Sequence, residues 1–342
     1  FMHKKISDSY EVQKFVSVII PCRNEQLYIE NCVNSILNQD YSSDKIEIIV
    51  VDGLSDDNTI QILEKYPKIT LLSNPKKIVP ISMNLGIRKA KGEYIIRVDA
   101  HCIYPKNYIS ELIFNSIKFN ADNIGTIMET IPANNSVKAK VIAIALSHPL
   151  GVGNSYFRTG SNKIREVDTV PFGCYKKEVF KNIGLYDEEL IRNQDDELNG
   201  RLIQSGGKII LMPNIVLKYY ARDTIKKVFS MFYQYGFFKP LVYLKLKKPA
   251  TVRQFAPLLF VLAILTGLLA GLFNYLILKI TLFCIGFYFF ILLIISFKII
   301  IIEKLKFISI VYFILTFFTI HWSYGWGYIN GILTLIKNKI IN

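Results

Sequence analysis

The residues best suited to chemistry begin with Asp99 and His101, inside the stretch YIIRVDAHCIY that runs from Tyr94 to Tyr104. The β-formers Tyr94, Ile95, Ile96 and Val98 lead into the carboxylate of Asp99, and His101 follows two residues on. A buried strand ending in Asp-x-His puts two metal-capable side chains at a sheet edge. Ligands of open α/β sheets bind just beyond such carboxyl ends. The pair could hold a divalent cation, which would neutralise a diphosphate and stabilise it as a leaving group. A histidine donor tilts the choice toward Mn2+, with Mg2+ still open. The bland alternative for His101 is a strand-end histidine with a routine hydrogen bond.

Two further clusters carry carboxylates. Asp52 ends the run IEIIVV, and the loop after it reads Gly53-Leu54-Ser55-Asp56-Asp57-Asn58-Thr59. A carboxylate there can accept a hydrogen bond from a base N–H or a ribose hydroxyl. For Asp57, capping of the next helix is an equal reading. Asp195, Asp196 and Glu197 open another predicted helix. The helix dipole alone favours acids at that position. The functional reading is one general base that deprotonates an acceptor hydroxyl.

The elements that must position these groups follow from apolar spacing. Strands are expected at 15–20, 46–51, 69–72 and 94–98, with helices at 25–38, 59–66 and 81–90. Strands alternating with helices about every 25 residues mean βαβ units and a parallel sheet. No GxGxxG follows the first strand and no Walker A spacing occurs, so the two common phosphate-cradling loops are excluded. Further helices are expected at 108–120 and near 177–183, and a short strand at 209–212.

The chain has 342 residues, 51% of them hydrophobic and concentrated after Phe255. Residues 256–278, 280–297 and 307–336 are uncharged, and crossing hydrocarbon takes about 20 residues. Three spans are therefore expected, the last extending, tilting or breaking near Gly325-Trp326-Gly327. Lysines and arginine flanking the spans place the N-terminal part in the cytoplasm. Before them, residues 224–239 mix Lys226, Lys227 and Lys239 with aromatics, which suggests a helix lying in the membrane interface. Packing on the enzyme domain is the alternative for that helix. The net charge of +14 fits lipid headgroups and a phosphate-bearing substrate. No nucleic-acid motif is present. Five scattered cysteines, Cys22, Cys32, Cys102, Cys174 and Cys284, argue against disulfides and a zinc site. Residues 15–21 are too short for the h-region of a signal peptide, so no leader is expected.

Taken together, residues 16–239 resemble family 2 glycosyltransferases of the GT-A fold. Pro21-Cys22-Arg23-Asn24-Glu25 is similar to the opening P-x-(Y/R)-N-E, and residues 51–59 to the VDGxSxDxT loop. Asn84-Leu85-Gly86 resembles N-x-G, Asp99-Ala100-His101 stands where the family has D-x-D, and Gln194-Asp195-Asp196-Glu197-Leu198 stands at E-D-x-D/E-L. RVDAHC, GVGNSYFR, VDTVPFG and NQDDELNGRL look most like the succinoglycan-type, ExoA-like subgroup. The sequence departs from the pattern at His101 and Gln194, so the base role is carried only to Asp195.

The resemblance implies an α/β GT-A sheet, mostly parallel and flanked by helices, with a C-terminal helical transmembrane region. It implies a flexible segment at 1–14, a catalytic domain at 15–222, an interfacial helix and linker at 223–254 and spans at 255–342. Donor nucleotide contacts are expected from Pro21, Asn24, Glu25, Asp52, Asp57 and Asp99. The metal is expected on Asp99 and His101, and the base is Asp195. Gly173, Asp196, Glu197, Arg201 and Gln234 are candidates for acceptor contacts. The expected partners are a nucleotide-sugar donor, with UDP favoured, a lipid-linked saccharide acceptor and membrane lipids. The expected reaction is inverting transfer of one hexose in exopolysaccharide or cell-surface glycan synthesis, at a bacterial inner membrane with the catalytic domain cytoplasmic. The Q-x-x-R-W of processive synthases is absent from Gln234-Tyr235-Gly236-Phe237-Phe238-Lys239. The alternatives are a processive synthase and a non-catalytic nucleotide-binding scaffold.

Overall fold

The first strand, β1 (Val16–Cys22), is buried almost throughout, as a continuous apolar run in a sheet covered on both faces must be. The computed structural model describes residues 14–249 and 252–341. The expected flexible segment therefore lies, except for Lys14, outside the described residues. Helix α1 (Ile29–Leu37) follows β1, then β2 (Ile46–Asp52), α2 (Thr59–Leu63), β3 (Ile69–Ser73), α3 (Val79–Lys89) and β4 (Tyr94–Arg97). These four strands are parallel in the order β3-β2-β1-β4. The register sets Cys22 beside Asp52 and Ile19 beside Arg97. Helix α3 lies directly on β1, where a Cβ on Gly86 would stand 2.5 Å from Ile19 Cγ2.

Beyond β4 the sheet turns antiparallel. The chain runs through β5 (Cys102–Ile103), α4 (Tyr108–Phe119) and β6 (Asn123–Ile131). After the inserted helices α5 (Val137–Ala145), α6 (Pro149–Val152) and α7 (Tyr156–Thr159) come β7 (Arg165–Glu166) and β8 (Cys174–Lys176). Helix α8 (Lys177–Ile183), helix α9 (Gln194–Gln204) and β9 (Ile209–Tyr220) complete this half. The order is β3-β2-β1-β4-β8-β6-β9-β5, with β7 on β9. The sheet is thus mixed, parallel where βαβ units build it and antiparallel where β8 joins β4.

The chain divides into two compact units. One holds the sheet, from the first described residues to 129 and again 160–219; the other holds 130–159 and everything from Tyr220 on. The catalytic domain expected over 15–222 therefore loses 130–159, because Val141 and Ala145 of α5 belong to an apolar core with Leu292, Phe313 and Phe317.

The second unit continues with α10 (Ile225–Leu246), α11 (Phe255–Gly271), α12 (Tyr275–Ile302) and α13 (Ser309–Ile341). Among the described residues, two helical stretches are long and apolar enough to cross a membrane, Val252–Gly271 and Tyr275–Ile302. The third expected span is not one of them. Helix α13 carries Thr316, His321, Ser323 and Asn330 along its length, which dilutes its apolar character. It does not break at Gly325-Trp326-Gly327. Those glycines serve close approach instead: a Cβ on Gly325 would stand 2.2 Å from the Pro257 carbonyl, and one on Gly327 2.1 Å from that of Tyr233. Helix α10, expected as the interfacial helix, buries Val228, Met231, Phe232, Gly236 and Lys239, with Gly236 against the backbone of Tyr324, so it packs into this bundle.

Candidate active site

Two loops at the carboxyl ends of β1 and β2 are stitched to each other. Asn24, with φ of 58°, accepts at Oδ1 from Asp56 N–H at 3.0 Å, and its own N–H donates to Ser55 Oγ at 2.9 Å. Glu25 N–H donates to Thr59 Oγ1 at 2.8 Å, and Gln26 N–H to Asp57 Oδ2 at 3.2 Å. Asp57 also accepts from Thr59 N–H and Oγ1, at 2.9 and 2.5 Å. Burial works against its charge, but these hydrogen bonds outweigh burial and hold its pKa below the usual carboxylate value. Asp52 is buried and accepts from Ser55 N–H and Oγ, at 2.9 and 2.5 Å. Asn24, Asp52 and Asp57, expected as nucleotide contacts, thus build these two loops, and Pro21 lies half-buried at the end of β1. The cap of α2 is Asn58, without a side-chain bond.

Just past β4, Asp99 N–H donates to the Tyr104 hydroxyl at 2.8 Å. His101 Nδ1 stands 2.9 Å from Asp99 Oδ1 and 3.3 Å from Glu25 Oε1. The Tyr219 ring lies 5.1 Å from the imidazole, centre to centre. Burial disfavours charge on His101, yet the two carboxylates overcome it and raise its pKa well above the ordinary value. Asp99 is half-buried, and although burial works against its charge, that imidazolium holds its pKa low. Glu25, expected as a nucleotide contact, thus stands beside the expected metal pair as well.

The donor set suits a divalent cation in part. One carboxylate oxygen and one imidazole nitrogen converge, while no cluster of three or more His, Cys, Asp or Glu that could hold an ion occurs among the described residues. A metal on Asp99 and His101 would take its other ligands from the diphosphate, and His101 would first release its proton.

Helix α9 brings the base candidate to the same strand. Asn193, with φ of 61°, starts the helix. Arg97, the last residue of β4, donates from Nη1 to Asp195 Oδ1. Burial pushes the pKa of Asp195 above the usual carboxylate value, and Arg97 only partly offsets that. Further along the helix, Asn199 makes neutral contacts. Asn199 accepts from Asn123 Nδ2 at 2.9 Å and the Tyr175 hydroxyl at 3.0 Å, and donates to Thr169 Oγ1 at 2.9 Å. Asn84 fixes the loop before α9 by accepting from Tyr186 N–H at 3.0 Å and donating to its carbonyl at 2.9 Å.

Several expected acceptor contacts have other work. Glu197 is buried in a two-armed pair with Arg201, 2.6 Å from Nε and 2.7 Å from Nη2. Arg201 also donates to the carbonyls of Ile183 and Leu185. Both side chains are spent on folding: two contacts close the pair within α9, and two tie Arg201 to the segment before the helix. Gly173 admits no side chain, since a Cβ there would fall 2.1 Å from Asn123 Oδ1, and its carbonyl accepts from Arg97 N–H at 3.1 Å. Asp196 is half-buried beside Asp195, and Gln234 lies on α10 in the second unit. Sequence reasoning passed over Arg97. Its signal was present: a charge inside the otherwise apolar strand YIIR.

Comparison with known proteins accords with this geometry. The family model described as glycosyl transferase family 2 matches residues 17–184. The chain is 32% identical over 240 residues to the dolichyl N-acetyl-alpha-D-glucosaminyl phosphate 3-beta-D-2,3-diacetamido-2,3-dideoxy-beta-D-glucuronosyltransferase of Methanococcus voltae, covering 67% of this chain and 74% of that one. It is 30% identical over 247 residues to the succinoglycan biosynthesis protein ExoA of Rhizobium meliloti, covering 70% and 74%. Among solved structures, the mannosyltransferase PcManGT from Pyrobaculum calidifontis, in complex with GDP-Man and Mn2+, superposes with a TM-score of 0.51 at 19% identity, over 68% of this chain and 69% of that one. TarS 1–349 of S. aureus with UDP-GlcNAc gives 0.50 at 18%, over 67% and 66%. A GT-A sheet whose β1–β4 loops and α9 carboxylate are set in this way, with such relatives, places the chain in glycosyl transferase family 2, as a glycosyltransferase acting on nucleotide sugars.

Proposed function

We propose that this protein is a membrane-bound inverting hexosyltransferase that moves one sugar from a nucleotide diphosphate to a lipid-linked saccharide in cell-surface glycan synthesis. The observation that carries the reading is the Arg97–Asp195 pair, which brings the first-turn acid of α9 to the strand that leads into Asp99 and His101. Donor end and base thus share one sheet edge. The nucleotide lies across the stitched loops of β1 and β2, with Pro21, Asn24 and Glu25 on one side and the loop closed by Asp52 and Asp57 on the other. A divalent cation on Asp99 and His101 would draw charge from the diphosphate as it leaves. Asp195 takes the proton of the acceptor hydroxyl while that oxygen attacks the anomeric carbon from the face opposite the leaving group. One displacement needs one base and no covalent nucleophile, hence inversion.

The acceptor class rests on the relatives. The Methanococcus voltae enzyme is named for a dolichyl-linked acceptor, and ExoA for succinoglycan biosynthesis. UDP is favoured by the TarS complex with UDP-GlcNAc. The two apolar helices support anchoring in a bacterial inner membrane as a multi-pass protein. The exposed Lys226, Lys227, Lys247 and Lys248 favour its anionic cytoplasmic leaflet, at about 1 kcal/mol each near the surface.

The test is transfer by the membrane-embedded chain, with labelled UDP-glucose, UDP-N-acetylglucosamine and GDP-mannose offered with a bacterial lipid extract and with Mn2+, Mg2+ or EDTA. Metal-dependent addition of a single sugar to lipid is expected. Long polymer would replace this reading with a processive synthase. Nucleotide binding without turnover on any donor, with lipid from the native host supplied, would replace it with a scaffold.

A further inference from the structure

Arg97 is buried in a strand whose other residues are apolar, and a buried charge there is unfavourable unless it is paired. Its Nη1 donates to Asp195 Oδ1, its guanidinium carbon stands 5.6 Å from the centre of the Phe172 ring, and its N–H is held by the Gly173 carbonyl at 3.1 Å. Its Nε has no hydrogen-bond partner among the described residues. The contact occupies Oδ1 of Asp195 alone. Among the described residues Oδ2 takes part in no hydrogen bond, and the side chain keeps 26% of its surface open. Replacing a buried ion pair by apolar residues is often neutral or stabilising, so stability alone is a weak reason for this arginine.

We propose that Arg97 is a positioning residue for the base: by clamping Oδ1 of Asp195, it presents Oδ2 to the acceptor hydroxyl. The proposal rests on the reading of Asp195 as the base. In the transfer, the acceptor proton passes to Oδ2 and the acceptor oxygen bonds to the anomeric carbon. The bond from that carbon to the diphosphate breaks with its electron pair, which departs on the nucleotide. Arg97 exchanges no proton and acts only through Asp195. Its planar group meets the carboxylate edge and the Phe172 face together, which the point charge of a lysine does only in part.

The experiment compares the full chain with Arg97→Gln, Arg97→Lys, Asp195→Asn and the double variant Arg97→Gln/Asp195→Asn. The assay is transfer from labelled UDP-glucose, UDP-N-acetylglucosamine and GDP-mannose to bacterial lipid extract, with thermal unfolding measured beside it. Arg97→Gln should lower kcat about 100-fold, within the usual worth of a general base, and leave donor KM within about threefold. Arg97→Lys should recover about tenfold of that loss. The double variant should be no slower than Asp195→Asn, because the arginine works only through the carboxylate. A native kcat in Arg97→Gln, a loss confined to KM, or losses that multiply in the double variant would overturn the proposal. If Arg97→Gln does not fold, Arg97→Lys decides by the same split, with reduced kcat at unchanged KM supporting the role and unchanged kcat refuting it. The two readings fail separately. An active Asp195→Asn removes the base assignment, whereas an inactive Asp195→Asn beside a fully active Arg97→Gln removes the arginine's role alone.

Discussion

Helix α9 presents two arginine–carboxylate pairs, one toward β4 and one toward the turn that precedes the helix. Toward the turn, Glu197 has both oxygens taken by Arg201, four residues on, and its side chain is 4% exposed. Toward β4, Asp195 has one oxygen taken by Arg97 and is 26% exposed. The chemistry of the groups is the same, and the number of occupied lone pairs differs. Buried and held through both oxygens, Glu197 is closed to a substrate. One held by a single oxygen is oriented and still able to accept a proton.

The largest effect that would break this contrast is on rate. Asp195→Asn should cost at least about 100-fold in kcat, and it should lower the unfolding temperature as well, since the buried Arg97 loses its charged partner. Glu197→Gln should spare the rate. Losing one partner of a buried two-armed pair should cost about 3 kcal/mol of stability, read by denaturant unfolding, while kcat per folded molecule stays near native. If Glu197→Gln abolished turnover without lowering stability, the division of labour would be wrong.

Acidity sharpens the contrast further. Asp195 works deprotonated, and burial raises its pKa despite Arg97. The fraction of active base therefore falls as pH drops through a value above the ordinary carboxylate one. The acid limb of kcat should lie at higher pH than an exposed aspartate would give. A pH–rate profile whose limb sits at the ordinary value would count against a buried base. Metal affinity should move the same way for a different reason. The pKa of His101 is raised, so its proton competes with a cation, and the apparent Mn2+ affinity from EDTA-stripped protein should rise with pH. The smallest effect belongs to Asp196, half-buried between the two pairs. Asp196→Asn should change kcat by less than about threefold, as substitutions away from such features do.

The parallel half of the sheet was legible because β1, β2 and β4 are apolar runs that end in Asp52 and at the Asp99 turn, and helical spacing separates them. The antiparallel half was not. Strands of two or three residues such as β5, β7 and β8 carry too few side chains to make a pattern. The third apolar run was legible as a helix, yet whether it extends, tilts or breaks at its glycines was not. Their purpose lies in the backbones of Pro257 and Tyr233, far away in sequence.

By itself, the sequence determined which residue types stand at the ends of strands and at the start of α9, because period-2 and period-3.6 patterns and carboxylate spacing are local properties of the chain. Only the tertiary structure decided which of those acids is anchored by one oxygen and which by two. Glu197 and Arg201 stand four residues apart on one helix, a spacing visible locally, whereas Arg97 and Asp195 are 98 residues apart and meet only in the fold. Glu25 came to face His101 for the same reason, since parallel β1 and β4 carry their following loops to one edge. Side chains distant in the chain meet there because backbone hydrogen bonds fix the register of the strands, and that register is a property of the whole sheet.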